Sequence, residues 1–278
     1  MSIRVLVSGA GGKMGREVVR AVASAEGMDV VAAVDPVFAG RALGDLCGAG
    51  GDLSGDEGGL SGGGGGLRVC GTLDEAMAAS PEVMVDFTAP AAVRRNVLDG
   101  VERGLRVVWG TTGMTSEEIE EVRRAVEARG TGAFHAPNFA IGAVLLMLFA
   151  RKAARYMPAV EIIELHHDQK KDAPSGTAVW TAEKILEAAD LPARPETERF
   201  SIEGARGGAV GPIHIHSVRL PGFVAHQEAI FGGLGQTLTI RHDSIGRESF
   251  MPGVVLAIRR VVDLRGLVVG LENLLDLT

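Results

Sequence analysis

The sequence predicts an α/β protein: a doubly wound parallel sheet, followed by a second domain of α+β type. Three observations carry this. Short apolar runs alternate with amphipathic helical stretches through the first half of the chain. A glycine-rich turn joins the first run to the first helical stretch. Past residue 138 this rhythm gives way to one long apolar stretch and then to alternating, turn-separated segments.

Residues 3–7 form a β-branched run ending in glycines, and 16–24 place Val18, Val19 and Val22 at helical spacing. Residues 30–34 read as the second strand, ending at Asp35-Pro36. Apolar runs at 83–86 and 105–108 each stop at a polar or glycine turn, with helices expected over 91–103 and 116–128. Apolar strands alternating with such helices imply a parallel sheet covered on both faces. Residues 48–66, GAGGDLSGDEGGLSGGGGG, interrupt the order and bury too little to fold alone, so they read as a mobile surface insertion. Cys47 and Cys70 flank it as core-edge residues. Residues 138–157 read as one long helix, and 160–165, 213–220, 226–231 and 236–242 as strands of a mixed or antiparallel sheet. Helix returns over 249–264, placed to pack back on the first domain, and a short apolar tail follows.

The formal charge of −7 over 278 residues argues against a nucleic-acid partner, while a local basic cluster can still bind a small anion. The N-terminus lacks a cleavable apolar segment, and the longest apolar run, 140–150, is too short to span a bilayer. A cytoplasmic protein with no membrane partner is expected. Two cysteines fit reduced thiols, with no zinc motif.

Gly9-Ala10-Gly11-Gly12-Lys13-Met14-Gly15 leaves a strand and opens a helix. Glycines there permit a tight turn and bring backbone amides to a pyrophosphate at a helix N-terminus. Asp35, twenty residues after Gly15, is placed to accept from an adenosine ribose. The cofactor expected is NADH and/or NADPH. Asp35 and Pro36 favour NADH at least equally, and Lys13 is the one nearby cation to offset a 2′-phosphate. The turns Gly110-Thr111-Thr112 and Ala136-Pro137-Asn138-Phe139 fit the same cofactor site.

A second cluster is ELHHDQKKDAPSGTA, residues 164–178. Only five of the chain's 28 basic residues are lysines, yet Lys170 and Lys171 adjoin here. His and Lys can give up a proton near neutral pH, and Arg cannot. Lys171 reads as a solvated charge. Ser175, Gly176 and Thr177 open a helix running to 188 and offer amides to a carboxylate, with Ser175 also a candidate N-cap. Pro174 keeps Ala173 out of helix. His214 and His216 share one strand face but lack a third ligand, so no metal is expected. His226 and His242 read as ordinary strand residues.

The chain resembles the dihydrodipicolinate reductase (4-hydroxy-tetrahydrodipicolinate reductase) family over essentially its full length. The resemblance rests on Gly9-x-x-Gly12-x-x-Gly15, Asp86-Phe87-Thr88, Gly110-Thr111-Thr112-Gly113, Pro137-Asn138-Phe139, and above all Glu161-Ile162-Ile163-Glu164-Leu165-His166-His167 with Lys170 and 172–178. It implies a Rossmann-like dinucleotide-binding domain, 1–137 with 248–278, and an α+β substrate-binding domain, 138–247, whose sheet builds a homotetramer. It implies NAD(P)H-dependent reduction of a cyclic dicarboxylate, 4-hydroxy-tetrahydrodipicolinate or its dehydrated form, in the diaminopimelate route to lysine. By resemblance His166 and Lys170 are the proton donors, and His167, Gly176 and Thr177 are substrate contacts. Two rivals share the glycine loop. A two-domain dehydrogenase of the aspartate- or homoserine-dehydrogenase type does not explain His166-His167 with 174–177. A dinucleotide-sensing regulator would need a DNA-binding element, and the chain carries no N-terminal helix-turn-helix.

Overall fold

The structure, a computed structural model, describes residues 2–47, 66–193, 199 and 201–276. The expectation for the glycine-rich insertion lies outside the described residues except at Gly66. The chain divides into two compact units, Met1–Phe139 with Phe250–Thr278, and Ala140–Ser249.

The first unit runs β1 (Ile3–Ser8), α1 (Lys13–Ala23), β2 (Met28–Val34), α2 (Leu43–Cys47), α3 (Leu73–Met77), β3 (Val83–Asp86), α4 (Pro90–Glu102), β4 (Arg106–Trp109), α5 (Ser116–Arg129) and β5 (Gly132–His135). In the second unit, α6 (Ile141–Ala153), β6 (Ala159–His166), α7 (Gly176–Leu186), β7 (Gly208–Val210), β8 (Ile213–Arg219), β9 (Ala225–Gly233) and β10 (Gln236–Ser244) follow. The chain then returns to the first unit as α8 (Met251–Val261) and β11 (Gly266–Val269).

The first sheet has the order β11-β5-β4-β3-β1-β2, with every pairing parallel. The chain leaves β1 toward β2 on one side and returns to β3 on the other, so the order reverses between β1 and β3. Ligands of such sheets bind at that switch point, beyond the strands' carboxyl ends. Leu6, Met84, Val107, Trp109 and Val122 pack together in the core. Local sequence sets the helix ends: Thr115 and Glu118 close a capping box on α5, and Gly130, at φ 64°, ends it.

Three expectations change. The helix expected over 138–157 spans only Ile141–Ala153. Phe139 is 2 % exposed, its ring 5.6 Å from that of Phe87 and 5.9 Å from that of Phe134, which holds the chain extended ahead of the helix. Pro158 disfavours helix at Met157. The C-terminal tail is a sheet strand, β11, paired with β5. Neither strand was anticipated: Gly132-Ala133-Phe134-His135 lacks the β-branched apolar run that marks β3 and β4, and β11 takes its register from β5, distant in sequence.

The second unit's sheet is mixed, in the order β10-β9-β6-β8-β7, with β6 and β8 parallel. Helices α6 and α7 pack on one face of it. Val160, Ile162, Ile213, Ile215, Ala229 and Phe231 form the apolar part of that inner face. Cys47 is buried and Cys70 half-buried, and both are free thiols. Burial pushes each thiol above its ordinary range, opposed at Cys47 by Arg20 and Arg16.

Candidate functional site

In the first unit the glycine turn is built by close backbone approach. Gly9 sits at φ 80°, and a Cβ at Gly15 would lie 2.0 Å from the Gly9 carbonyl oxygen. Helix α1 therefore packs on the turn only with glycine there. Gly12 is its N-cap and no side chain caps it, leaving first-turn amides for a ligand. Asp35, at the end of β2, is tied to the same turn. Its Oδ2 accepts from the Gly11 amide and its Oδ1 from the Val37 amide, both at 3.0 Å.

The other strand ends line up beside this turn. Asp86, fully buried, accepts from Ser8 Oγ (2.8 Å), Thr88 Oγ1 (2.7 Å), Asn96 Nδ2 (3.0 Å) and Thr111 Oγ1 (3.3 Å). It thus joins β1, β3 and the Gly110–Thr112 turn, and sequence reading assigned it no role. Ala136 donates to the Trp109 carbonyl at 3.3 Å, which places 136–139 beside that turn. His135 stacks on Trp109 at 4.8 Å, and burial lowers its pKa against the Trp109 carbonyl hydrogen bond. A cavity of about 510 Å³ opens between Gly9, Gly12, Asp35, Thr72, Phe87 and Thr88.

Among the cofactor candidates, Gly12, Lys13, Thr112 and Pro137 are exposed, and Gly9, Met14, Gly110 and Asn138 partly so. Ala10, Gly11, Thr111 and Ala136 are buried. The Phe139 side chain is core. One expectation is corrected: Lys13 is not the only cation near the turn. Arg16 donates from Nε to the Gly11 carbonyl at 2.9 Å, and the Arg16 and Arg41 guanidiniums lie 5.6 Å and 5.9 Å from the Phe38 ring. Helical spacing from Lys13 could have pointed to Arg16. The fit to a dinucleotide is good: a backbone cradle that a Cβ would fill, an uncapped helix start, and a carboxylate at the end of β2.

In the second unit, strand alternation places Ile162, Glu164 and His166 on the inner face. The β8 row beside it is Ile213, Ile215, Ser217, Arg219, in register as Glu164 with Ser217 and His166 with Arg219. The inner face is therefore apolar at one end and polar at the other. Glu164 is fully buried. Its Oε1 accepts from Arg219 Nη2 (2.7 Å) and the Ser175 amide (3.1 Å), and its Oε2 from Arg219 Nη1 (2.8 Å), with His166 Nδ1 at 2.5 Å. Burial pushes this carboxyl up, but hydrogen bonds from His166, Arg219 and Ser217 outweigh it and hold it at about 2.

The remaining candidates gather around this pair. Lys170 Nζ donates to both Asp172 oxygens at 2.8 Å and holds that carboxyl below its ordinary range. The Asp172 carbonyl in turn accepts from Arg219 Nη2 at 2.7 Å. Lys171 and His167 are exposed. Ser175 is the α7 N-cap, its Oγ accepting from the Ala178 amide at 3.3 Å, and it is 3 % exposed. Its hydroxyl acts on the helix. Gly176 and Thr177 open α7, and a Cβ at Gly176 would meet nothing within 4 Å. Thr181 Oγ1 donates to the Thr177 carbonyl and accepts from Gln227 Nε2, both at 2.8 Å, bracing that first turn against β9. Sequence reading missed Glu164 and Arg219 as site members. An acid in the inward row Val160, Ile162, Glu164, His166 was the available signal for the first.

On the outer face, His216 Nε2 lies 2.7 Å from Glu161 Oε2, and Arg206 engages the other Glu161 oxygen. Among the described residues, no group of three or more His, Cys, Asp or Glu is arranged to hold a metal ion, and no helix is long and apolar enough to cross a membrane.

Two family profiles match the chain in order. "Dihydrodipicolinate reductase, N-terminus" covers residues 3–139, and "Dihydrodipicolinate reductase, C-terminus" covers residues 142–275. The chain is 51 % identical over 277 residues to 4-hydroxy-tetrahydrodipicolinate reductase of Desulfitobacterium hafniense (strain Y51), covering 99 % of each. It is 49 % identical over 275 residues to the Moorella thermoacetica protein of that name, covering 99 % of this chain and 98 % of the other. Among solved structures it superposes on dipicolinate-bound dihydrodipicolinate reductase from Paenisporosarcina sp. TG-14 with a TM-score of 0.84 at 43 % identity, over 99 % of this chain and 100 % of the other. With both profiles and full-length relatives in agreement, the chain belongs to the dihydrodipicolinate reductase family.

Proposed function

We propose that this protein reduces 4-hydroxy-tetrahydrodipicolinate, or its dehydrated form, to tetrahydrodipicolinate with NADH or NADPH, in the diaminopimelate route to lysine. One observation carries the reading. His166 and Lys170, two groups able to give up a proton, stand beside the amide-rich start of α7 at the polar end of the second unit's sheet. The dipicolinate held by the Paenisporosarcina relative, a ring with two carboxylates, is the kind of ligand such donors suit.

A reduced nicotinamide supplies hydride to the ring when bound. The Gly9–Met14 turn and the first amides of α1 receive the pyrophosphate, and Asp35 accepts from the ribose. Gly110–Thr112 and 136–138 line the nicotinamide end. His167, Gly176 and Thr177 hold substrate carboxylates, with Ser175 capping the helix that presents those amides. Hydride addition to a conjugated imine leaves electron density that must take a proton, and His166 and Lys170 supply it. Asp172 holds Lys170 in place until substrate arrives.

A coupled assay tests this. The product of the preceding aldolase-type synthase is supplied, and loss of reduced-nicotinamide absorbance is followed with NADH and with NADPH. Turnover is expected with both, at least as efficient with NADH. No turnover with either overturns the reading.

The enzyme is further proposed to act in the cytoplasm as a homotetramer built on the second unit's sheet. Supporting this, the edge strand β10 exposes Gln236, Thr237, Leu238 and Thr239 in a continuous row, an open edge that soluble proteins cover or pair. Light scattering that reports a monomer at working concentration would remove the assembly.

A further inference from the structure

We infer that Glu164 is the positioning residue of the reaction, holding His166 in the tautomer with its proton on Nδ1, so that Nε2 is the atom that exchanges a proton with the substrate. The inference deepens the function proposed above and rests on it.

Glu164 is surrounded by donors, two of them from one cation. Arg219 places two N–H groups on Glu164, one on each oxygen, at 2.7 and 2.8 Å. The Ser175 amide adds a third at 3.1 Å. Guanidinium and backbone amide are donors only. A fully buried carboxyl gripped on both oxygens by a guanidinium stays a carboxylate, because protonating it would leave the Arg219 charge without its partner. Facing the 2.5 Å contact with Oε2, His166 Nδ1 then has no acceptor role to play and must carry hydrogen. Neutral His166 is therefore a base at Nε2, and its protonated form is an acid at Nε2.

The same carboxylate ties together the parts that must move as one. It joins β6 through His166, β8 through Arg219, and the α7 cap through Ser175. Arg219 extends the link to the Asp172 carbonyl at 2.7 Å, and Asp172 holds Lys170. Both proposed proton donors are thus referenced to one buried ion pair. The charged groups linked to His166 are Glu164 on its own strand, Arg219 from β8 and, through the Arg219–Asp172 contact, Asp172 and Lys170 from the following loop. On β9 its register partner is Ala225, with Gln227 next along the same face, and neither titrates. When His166 gives its Nε2 proton to the reduced ring, the imidazole becomes neutral with Nδ1–H unbroken, and solvent restores the proton.

Two measurements test this. In the first, ¹⁵N NMR of the histidine-labelled enzyme without ligands reads the tautomer directly. Neutral His166 with Nδ1 protonated and Nε2 bare is expected, and Nε2 protonated instead overturns the inference. This arm needs no turnover, so it stands or falls apart from the reaction assigned above. In the second, Glu164→Gln should lower kcat about 10–100-fold with KM little changed. Losing the carboxylate should also move the alkaline limb of the kcat profile, where the proton donor is lost, to lower pH by about 1–3 units. Glu164→Asp, which keeps the charge, should restore part of the rate. A Glu164→Gln enzyme with an unmoved pH profile overturns the inference. If that variant does not fold, the NMR result on the unaltered enzyme decides alone.

Discussion

Asp35 and Gly11 are joined across the turn between β1 and α1, the Gly11 amide donating to Asp35 Oδ2 at 3.0 Å. The carboxylate thus shapes the turn proposed to receive the pyrophosphate, in addition to its proposed contact with the ribose. Each oxygen keeps a lone pair beyond the one amide it already serves. Asp35→Ala should weaken NADH by about tenfold, roughly the worth of a hydrogen bond to a charged group. NADPH should lose less, because its 2′-phosphate gains from removal of the negative charge, with Arg16 and Lys13 nearby. Fluorescence titration with both cofactors reads the difference, and equal losses would show that Asp35 does not meet the ribose.

Gly15→Ala should cost about 1–3 kcal/mol, the usual penalty of overpacking a close contact. The added Cβ would lie 2.0 Å from a backbone oxygen, where no rotamer change relieves it. Thermal unfolding should show a lower Tm and titration a weaker affinity for either cofactor. A variant with unchanged Tm would mean that α1 shifts freely on the turn.

Gly176→Ala should behave in the opposite way. A Cβ there meets no protein atom within 4 Å, so Tm should hold or rise by the helix-forming advantage of Ala, about 1 kcal/mol at most. The space it fills is the space proposed for a substrate carboxylate, so KM should rise with kcat nearly unchanged. An unaltered KM would take Gly176 out of the substrate site.

Lys170→Arg keeps the charge facing Asp172 but cannot release a proton near neutral pH. Its kcat should fall about 10²–10⁴-fold if general-acid catalysis at this position is lost, while cofactor affinity holds. Retention of most of kcat would make Lys170 an anion holder and leave His166 as the proton source.

Acid should weaken the second unit through Glu164. Its folded value, about 2, lies below the ordinary 4.5, so its carboxylate stabilises the fold fully above pH 4.5 and progressively less as pH falls toward 2. Urea midpoints measured across that window should fall in the unaltered protein and fall less steeply in Glu164→Gln. Equal slopes would contradict the buried ion pair.

Legibility in the sequence followed distance along the chain. The glycine turn and Asp35 were readable because a βαβ unit fixes their spacing, and the strands of eight or nine residues in the second unit announced themselves by alternation. Strands β5 and β11, four residues each, carry no such pattern. Glu164 stood inside the conspicuous stretch but drew no role, since only the inward row of β6 shows that it is buried. Arg219, 55 residues away, reaches Glu164 through the parallel pairing of β6 with β8, a register that no local pattern states. Arg16 was legible as well, one helical turn beyond Lys13 on the same helix.

The return of residues 250–278 to the first unit sets an order on the making of the protein. Synthesis runs from the N-terminus, so the whole of Ala140–Ser249 is available to fold while the nucleotide-side sheet still lacks its last strand and its covering helix. Until α8 and β11 emerge, Ala133 and Phe134 on β5, buried in the finished protein, have only one strand beside them. A message truncated after residue 249 would therefore yield a complete second unit attached to an open, adhesive sheet, a product for proteases and chaperones rather than a weak enzyme.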